Sequence, residues 1–179
     1  SLRAGSARLH GAHICLPFPS VGATEKVLLA GVMAEGDTVL EGAAREPEIL
    51  TLCRFLQQCG AWIEGAGSSV LVIHGGRRLY GTDFSVPADR IVAGTYLFGC
   101  IGAGGSIFLE QAPKEEMEAV LQAAEQMGGH VCVSEEGIYV QAPERPVAVD
   151  LVTRPHPGFP TELQSVARAV EARGGGYSH

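Results

Sequence analysis

The stretch Leu16-Pro-Phe-Pro-Ser-Val-Gly-Ala-Thr-Glu-Lys-Val-Leu-Leu-Ala-Gly-Val-Met-Ala34 sets a pattern that the rest of the chain repeats. The alternating residues 12–16 predict a strand, and Pro17 and Pro19 stiffen the loop that follows it. Beyond the loop, apolar residues recur at helical spacing. The stretch therefore predicts a strand, a rigid loop and a helix, in that order.

The start of this helix is the first candidate binding site. Ser20 is a preferred N-cap residue, and the pattern predicts a helix that begins at Val21 and ends at Gly36. The first backbone N–H groups of a helix have no intrahelical partner, and Gly22 has no side chain to keep a ligand away. A phosphate or sugar oxygen could bind there, although an ordinary capped core helix explains the same residues.

The next segment predicts a second strand and helix, followed by a hairpin. Residues 38–41 have the pattern of a strand, and Pro47 suits the first helical turn, where its missing N–H costs nothing. Gly60 stops this helix, and residues 61–64 and 70–73 form the predicted hairpin. The apolar stripe of the helix comprises Ile49, Leu52, Cys53, Leu56 and Cys59.

The same order recurs 68 residues later, in a helix that Pro113 opens and Gly128 stops. Its apolar stripe has the same spacing and comprises Met117, Val120, Leu121, Ala124 and Met127. The strands and the earlier helix of this second unit are predicted at residues 91–103, 106–110, 130–133 and 138–141. A third unit begins with a predicted strand at 147–152, and its loop, helix and glycine run are residues 155–160, 161–172 and 174–176.

These repeated units predict an α/β fold, because each alternates strands with helices and ends in a hairpin. Residues 1–11 alternate weakly and resemble the tail of a strand whose start is missing, so we expect an incomplete chain. A change of pattern at residues 75–83 predicts a boundary between two compact modules.

The composition is that of a globular protein, with 46% apolar residues, 18% charged residues and a net charge of −7. The only lysines are Lys26 and Lys114, so there is no basic stripe, which argues against nucleic acid or an anionic membrane as partner. We expect a cytoplasmic protein, since there is neither a membrane-length apolar run nor an apolar signal core. The five cysteines form no Cys-x-x-Cys pair and fall mostly at apolar positions, which favours buried free thiols.

Polar residues open the first helix of each unit. They are Ser20 with Gly22, Asp89 with Arg90 after Pro87, and Thr161 with Glu162 after Pro160. Helix starts at equivalent positions of repeated units can converge, so these donors and carboxylates are predicted to meet in one cleft. Alternatively, the two carboxylates only stabilise their own helices through the helix dipole, by about 0.3–1 kcal/mol each.

Two further groups of polar residues have weaker patterns. Arg45, Glu46 and Glu48 lie at a helix entry, where they form either a solvated cap or part of a catalytic site. The histidines of the strand patterns, His13, His74 and His130, show no metal-ligand spacing. The sequence therefore predicts no metal site.

Four motifs closely resemble the UDP-N-acetylglucosamine enolpyruvyl transferase family, and the similarity covers residues 1–170. The motifs are Phe18-Pro-Ser-Val-Gly-Ala-Thr-Glu, Ala43-Ala-Arg-Glu-Pro-Glu-Ile, Pro87-Ala-Asp-Arg-Ile-Val-Ala-Gly-Thr and Pro155-His-Pro-Gly-Phe-Pro-Thr-Glu-Leu-Gln. The resemblance implies transfer of an enolpyruvyl group from phosphoenolpyruvate to UDP-N-acetylglucosamine, without a cofactor. That reaction is the first committed step of peptidoglycan synthesis and serves cell wall biogenesis, cell shape and cell division.

The fold implied by the resemblance has two lobes, each an inside-out α/β barrel of three such units, with the active site between the lobes. Residues 1–86 would be the last unit of the first lobe. Residues 87–179 would be the first unit of the second lobe and the start of the next unit. A segment of this kind is not expected to turn over alone, because it would need the remainder of the two-lobed enzyme as its partner.

The resemblance also implies roles for individual residues. Phe18, Pro19, Ser20 and Val21 would line the UDP-sugar site beside Gly22, with Phe18 in place of the lysine that some members have. Glu46, Asp89 and Arg90 match positions close to the reacting substrates. Glu162, after Thr161, takes the place of a family aspartate that contacts the sugar hydroxyl and is proposed as its general base. The family's loop cysteine and its phosphoenolpyruvate-binding lysine lie outside this chain.

Two other interpretations stay open. A non-catalytic relative would bind a UDP-sugar or a partner protein, and the exchange of aspartate for Glu162 favours it. The chain could also belong to another enzyme of the same fold, the shikimate-pathway enolpyruvyl synthase or the RNA 3′-phosphate cyclase, but the four motifs disfavour both.

Overall fold

The computed structural model describes residues 8–174 of a chain that divides into two compact units, Ser1–Val86 and Pro87–His179. The first unit contains β1 (His13–Cys15), α1 (Val21–Gly31), β2 (Asp37–Glu41), α2 (Pro47–Gln58), β3 (Trp62–Glu64) and β4 (Val70–His74). The second unit contains α3 (Arg90–Ala103), β5 (Ser106–Glu110), a 3-10 turn at Lys114–Glu116, α4 (Glu118–Gln126), β6 (His130–Val133), β7 (Gly137–Gln141), a 3-10 turn at Thr161–Leu163 and α5 (Gln164–Glu171). The predicted α/β alternation is confirmed.

Each unit builds one sheet, and three strands of the first sheet have the same order as the three strands of the second. The first sheet has the order β1-β2-β4-β3, with β1 and β2 parallel and the other pairs antiparallel. The second sheet has the order β5-β7-β6 and is antiparallel throughout. The arrangement of β2, β4 and β3 thus recurs in β5, β7 and β6, which confirms this part of the predicted repeat and both predicted hairpins, but among the described residues no counterpart of β1 precedes α3.

The helices cover one face of each sheet and form two separate cores. In α2 the buried stripe consists of Ile49, Cys53 and Leu56, while Leu52 is half-buried. The matching stripe of the second unit buries Met117, Val120, Ala124 and Met127 and leaves Leu121 half-buried. Gly60 and Gly128, which follow these helices, both have positive φ, at 101° and 92°. This conformation suits glycine and ends each helix at the predicted place.

Helix α1 is shorter than the sequence predicts. It ends at Gly31 rather than Gly36. The backbone of Glu35 instead hydrogen-bonds to Leu9 and Gly11, with N···O distances of 2.8 Å each. This pairing with an earlier segment pulls the chain out of the helix, and a local pattern could not reveal it.

The second and third units also depart from the predictions. Pro113 precedes a 3-10 turn, so α4 begins only at Glu118. Residues 147–152 form no named strand, because within residues 8–174 no neighbouring segment pairs along their length. The N–H of Val147 instead donates to the carbonyl of Met127, at 3.0 Å. The predicted strand tail at 1–11 and the glycine run at 174–176 lie partly outside the described residues.

All five cysteines are free, but the expectation of buried thiols holds only in part. Cys53 and Cys59 are buried, and burial raises the pKa of Cys53 to about 11. Cys100 is half-buried, whereas Cys15 and Cys132 are exposed. The last two lie on the outward face of edge strands, where strand alternation places every second side chain.

Among the described residues, no helix is long and apolar enough to cross a membrane.

Candidate functional site

The first unit brings two helix starts to one edge of its sheet. Strands β1 and β2 are parallel, with Cys15 paired to Glu41, so both strands end at the same edge. The N–H of Leu16 continues the pairing and donates to the carbonyl of Glu41 at 2.9 Å. Residues 16–20 and 42–46 then lead into α1 and α2. Helix N-termini at the carboxyl edge of parallel strands are a common place for ligands, since their N–H groups attract anions.

The buried side chain of Thr24 ties the two helix starts together. Its hydroxyl donates to the carbonyl of Ser20 at 2.8 Å and accepts from the N–H of Ala44 at 3.0 Å. The Ser20 hydroxyl accepts from the N–H of Ala23 at 3.4 Å, which confirms the predicted cap. Thr24 therefore holds the entrances of α1 and α2 in a defined arrangement.

The predicted UDP-sugar residues surround the first turn of α1. Phe18 is 65% exposed, Pro19 is exposed, and Ser20, Val21 and Gly22 are half-buried. A methyl group at Gly22 would meet no other atom within 4 Å. The first turn therefore faces open space beside an exposed aromatic side chain, as a ligand site requires.

Glu46 differs from its charged neighbours at the start of α2. Arg45 and Glu48 are exposed, which fits a solvated cap. The Glu46 side chain makes no capping bond to the helix, and its Oε2 atom is inaccessible to solvent. The solvated-cap interpretation thus describes Arg45 and Glu48 but not Glu46.

In the second unit, Asp89 and Arg90 open α3. The Asp89 Oδ1 atom accepts from the N–H groups of Ile91 and Val92, at 2.7 and 3.2 Å, so Asp89 caps the helix as the dipole alternative describes. Arg90 is buried, with 6% of its surface exposed. Asp89 also borders a cavity of about 410 Å³ whose other walls are mainly apolar side chains of α3 and β5: Val92, Ala93, Tyr96, Ile107, Phe108 and Leu109.

Glu162 and Thr161 are exposed in the 3-10 turn before α5. The Thr161 hydroxyl donates to the Glu162 Oε2 atom at 3.2 Å. This bond orients the carboxylate from the preceding residue, in the way the resemblance implies for the family's aspartate.

The residues on both sides of this pair are fixed in the core. The Phe159 ring packs on Phe98 of α3, with centroids 5.9 Å apart, and Leu163 is fully buried. Leu163 lies so close to Gly94 that a side chain at that glycine would overlap the Leu163 Cδ1 atom. Glu162 is therefore an exposed carboxylate on a rigid support, as a positioned base must be.

The structure thus assembles the predicted site residues in two groups. Ser20 and its neighbours lie beside the entrance of α2 with Glu46, and the turn containing Glu162 packs against α3, the helix that Asp89 and Arg90 open. The convergence of all these residues on one cleft stays a prediction.

A third cluster was not predicted. His13 and Cys15 in β1 and Glu41 in β2 place their polar atoms within 4.8 Å of one another. Hydrogen bonds from Cys15 and then His13 lower the pKa of the Glu41 carboxyl, and the bond to Glu41 raises the pKa of the Cys15 thiol. The His-x-Cys spacing in β1 was the only sign of this cluster in the sequence. It could not indicate Glu41, because that carboxylate belongs to a different strand.

The whole chain, residues 1–179, matches the family model of EPSP synthase (3-phosphoshikimate 1-carboxyvinyltransferase). It belongs to the EPSP synthase family. Within that family it is 45% identical to the UDP-N-acetylglucosamine 1-carboxyvinyltransferase of Nitratidesulfovibrio vulgaris strain DP4. That alignment extends over 159 residues and covers 88% of this chain and 38% of the relative. It is 43% identical over 171 residues to UDP-N-acetylglucosamine 1-carboxyvinyltransferase 1 of Halalkalibacterium halodurans, covering 96% of this chain and 39% of that relative. The predicted resemblance is confirmed.

Solved structures show the same fold. The enolpyruvyl transferase NikO from Streptomyces tendae aligns with a TM-score of 0.79 at 22% identity, over 96% of this chain and 44% of NikO. EPSP synthase from Acinetobacter baumannii aligns with a TM-score of 0.58 at 24% identity, over 81% of this chain and 34% of that structure. The fold is therefore that of the enolpyruvyl transferases, and the chain spans about two fifths of the length of the curated relatives it matches.

Proposed function

We propose that this family member contributes much of the UDP-sugar side of an active site that moves an enolpyruvyl group from phosphoenolpyruvate to UDP-N-acetylglucosamine. The observation that carries the proposal is the exposed Glu162 carboxylate, oriented by Thr161 and anchored on both sides in the core. The names of the closely similar relatives support these two substrates. We place the reaction in the cytoplasm, at the start of peptidoglycan synthesis.

The first turn of α1 would hold the nucleotide sugar. This turn contains no acidic side chain, whereas the first turns of α2 and α4 carry Glu48 and Glu118. Because the free N–H groups attract negative charge and the turn itself carries no carboxylate, it suits a diphosphate. The exposed Phe18 ring offers an apolar surface beside it.

The residues at the other helix starts would serve the chemistry. Adding enolpyruvate to a sugar alcohol requires a base within about 3 Å of the hydroxyl, and Glu162 is the candidate. Arg90 would supply positive charge for anionic substrates, with Asp89 and Glu46 close to the reacting groups. These roles rest on the match of their motifs to the family.

An enzyme completed from a relative tests the proposed function. We expect a chimera, in which this segment replaces the matching 159 residues of the N. vulgaris relative, to release phosphate only when both substrates are present. The 179-residue chain alone should release none, since it spans 38% of that relative. A folded chimera that binds UDP-N-acetylglucosamine without turnover would support the non-catalytic alternative. Turnover with 3-phosphoshikimate instead would support the shikimate-pathway alternative.

Replacing Gly22 with alanine is expected to weaken UDP-N-acetylglucosamine binding to the chimera at least about tenfold without loss of stability. The added methyl meets no protein atom, so it can only obstruct a ligand that occupies the open space over the first turn. Titration calorimetry and thermal melting measure the two effects. Gly99→Ala in α3 is the matched control, because a methyl there also meets no atom within 4 Å. Equal affinities of both variants and the parent would remove the α1 start from the ligand site.

A further inference from the structure

Three potential metal ligands lie together on the outward face of the first sheet. In β1, His13 and Cys15 are two residues apart and exposed, so both point away from the core. Strand pairing sets Cys15 directly opposite Glu41, at the end of β2. The central residue of β1, Ile14, is paired with the buried Leu40 and packs against the core. The alternation of both strands therefore presents an imidazole, a thiol and a carboxylate side by side.

The polar atoms of the three side chains lie within about 0.5 Å of the separations in a zinc coordination sphere. His13 Nε2 lies 2.9 Å from Glu41 Oε1, Cys15 Sγ lies 3.3 Å from Glu41 Oε2, and the Sγ and Nε2 atoms are 4.0 Å apart. Tetrahedral zinc with N, S and O ligands requires ligand–ligand separations of about 3.3–3.6 Å. Small side-chain rotations of exposed groups would bring all three ligands to bonding distance.

We propose that His13, Cys15 and Glu41 form a binding site for a Zn²⁺ ion, with a water molecule in the fourth position. The ligand types favour zinc, since thiolate and imidazole together select borderline-soft metals over Ca²⁺ or Mg²⁺. When the metal binds, Sγ–Zn, Nε2–Zn and O–Zn bonds form. The Cys15 thiol releases one proton to solvent and His13 coordinates as the neutral ring. The Glu41 carboxylate already accepts hydrogen bonds from both partners, which preassembles the ligands before the metal arrives.

The second unit contains an internal comparison for this site. His130 and Cys132 in β6 repeat the His-x-Cys spacing on an exposed edge strand. Their partners on β7 are Gln141 and Tyr139, so neither is paired with a carboxylate across the strands. Among residues 8–174, only the cluster with Glu41 gathers three such ligands. The two His-x-Cys pairs therefore differ chiefly in the third ligand.

Titration of the full 179-residue chain with Co²⁺ tests the proposal, in a buffer whose reductant contains no thiol. A single Co²⁺ per chain should give a thiolate-to-metal absorption band and the visible bands of a four-coordinate site, and one equivalent of Zn²⁺ should remove them. Cys15→Ser should abolish the thiolate band, and His13→Ala and Glu41→Gln should each weaken binding at least about tenfold. Cys132→Ser should change nothing.

Two outcomes would overturn the proposal: bands that persist in Cys15→Ser, or bands that disappear in Cys132→Ser. The absence of any 1:1 complex at millimolar Co²⁺ would also overturn it. All three ligands are exposed, so the variants should fold, and the fluorescence of Trp62, the only tryptophan, reports whether the first unit is intact. The metal titration uses neither phosphoenolpyruvate nor UDP-N-acetylglucosamine. A failure to bind metal would therefore leave the proposed function untouched.

Discussion

Glu162→Gln is expected to lower turnover of the N. vulgaris chimera by about 10²–10⁴-fold while changing UDP-N-acetylglucosamine affinity by less than about threefold. Glutamine keeps the size of the side chain and its bond from Thr161, but it cannot accept the proton of the sugar hydroxyl. A loss confined to turnover therefore identifies a base. Phosphate release at saturating substrates and calorimetric binding measure the two quantities.

Glu162→Asp and a matched surface variant complete this test. Aspartate restores the shorter reach that the resemblance implies, so its rate should equal or exceed that of the parent chimera. Glu115→Gln is the control. Like Glu162, Glu115 is an exposed glutamate in a 3-10 turn that precedes an α-helix. If Glu162→Gln stays within about threefold of the parent in turnover, the carboxylate only favours the helix start and the non-catalytic interpretation gains support.

Leu163→Ala is expected to destabilise the second unit by about 2–5 kcal/mol, because Leu163 is fully buried and its removal leaves a cavity. Gly94→Ala should cost about 1–3 kcal/mol, since the new methyl overlaps Leu163 and lies close to Val120. Combined, the two changes should cost less than their sum by at least about 1 kcal/mol, because the alanine methyl at position 94 enters the space that Leu163 leaves. Urea unfolding followed by circular dichroism provides the three free energies.

Additive costs would show that Leu163 does not pack on Gly94 in solution, and Glu162 would then lack the rigid support inferred for it. Val170→Ala is a suitable control, since Val170 is also buried in this core but contacts Gly102 rather than Gly94. Its cost should add to that of Gly94→Ala without coupling.

Local features of the fold were predictable because they depend on neighbours a few residues away. The Ser20 cap and Pro47 at the first turn of α2 are examples, and the structure shows both. The repeat was also predictable, since the apolar stripes at 49–59 and 117–127 share one spacing. Each stripe must cover a sheet of the same strand order, so similar patterns give similar units.

Features that depend on distant backbone pairing were not predictable. The predicted end of α1 at Gly36 is replaced by an end at Gly31, because Glu35 pairs with Leu9 and Gly11, which lie more than twenty positions before it in the sequence. Residues 147–152 have a strand-like pattern, yet a strand forms only where a neighbouring strand supplies hydrogen bonds. In both cases the outcome depends on whether backbone outside the local window pairs with the segment.

The candidate site also combines features that the sequence could predict with features that depend on tertiary packing. The motifs alone pointed to Ser20, Glu46, Asp89, Arg90 and Glu162, because residue type and helix position define their possible chemistry. Only the structure showed that Glu46 has an oxygen shielded from solvent and that Phe159 and Leu163 anchor the turn of Glu162. Burial depends on contacts between segments that are distant in sequence, so no single segment can reveal it.

By itself, the sequence determined the alternation of strands and helices, the repeated unit and the family, since these depend on local propensity, spacing and motif order. The tertiary structure alone decided that Glu41 joins His13 and Cys15. Glu41 is 28 positions from His13 and 26 from Cys15 in sequence, and the parallel register of β1 and β2 brings it within hydrogen-bonding distance of both. A shift of that register by one residue would turn Glu41 to the opposite face, so no property of either strand alone could predict the cluster.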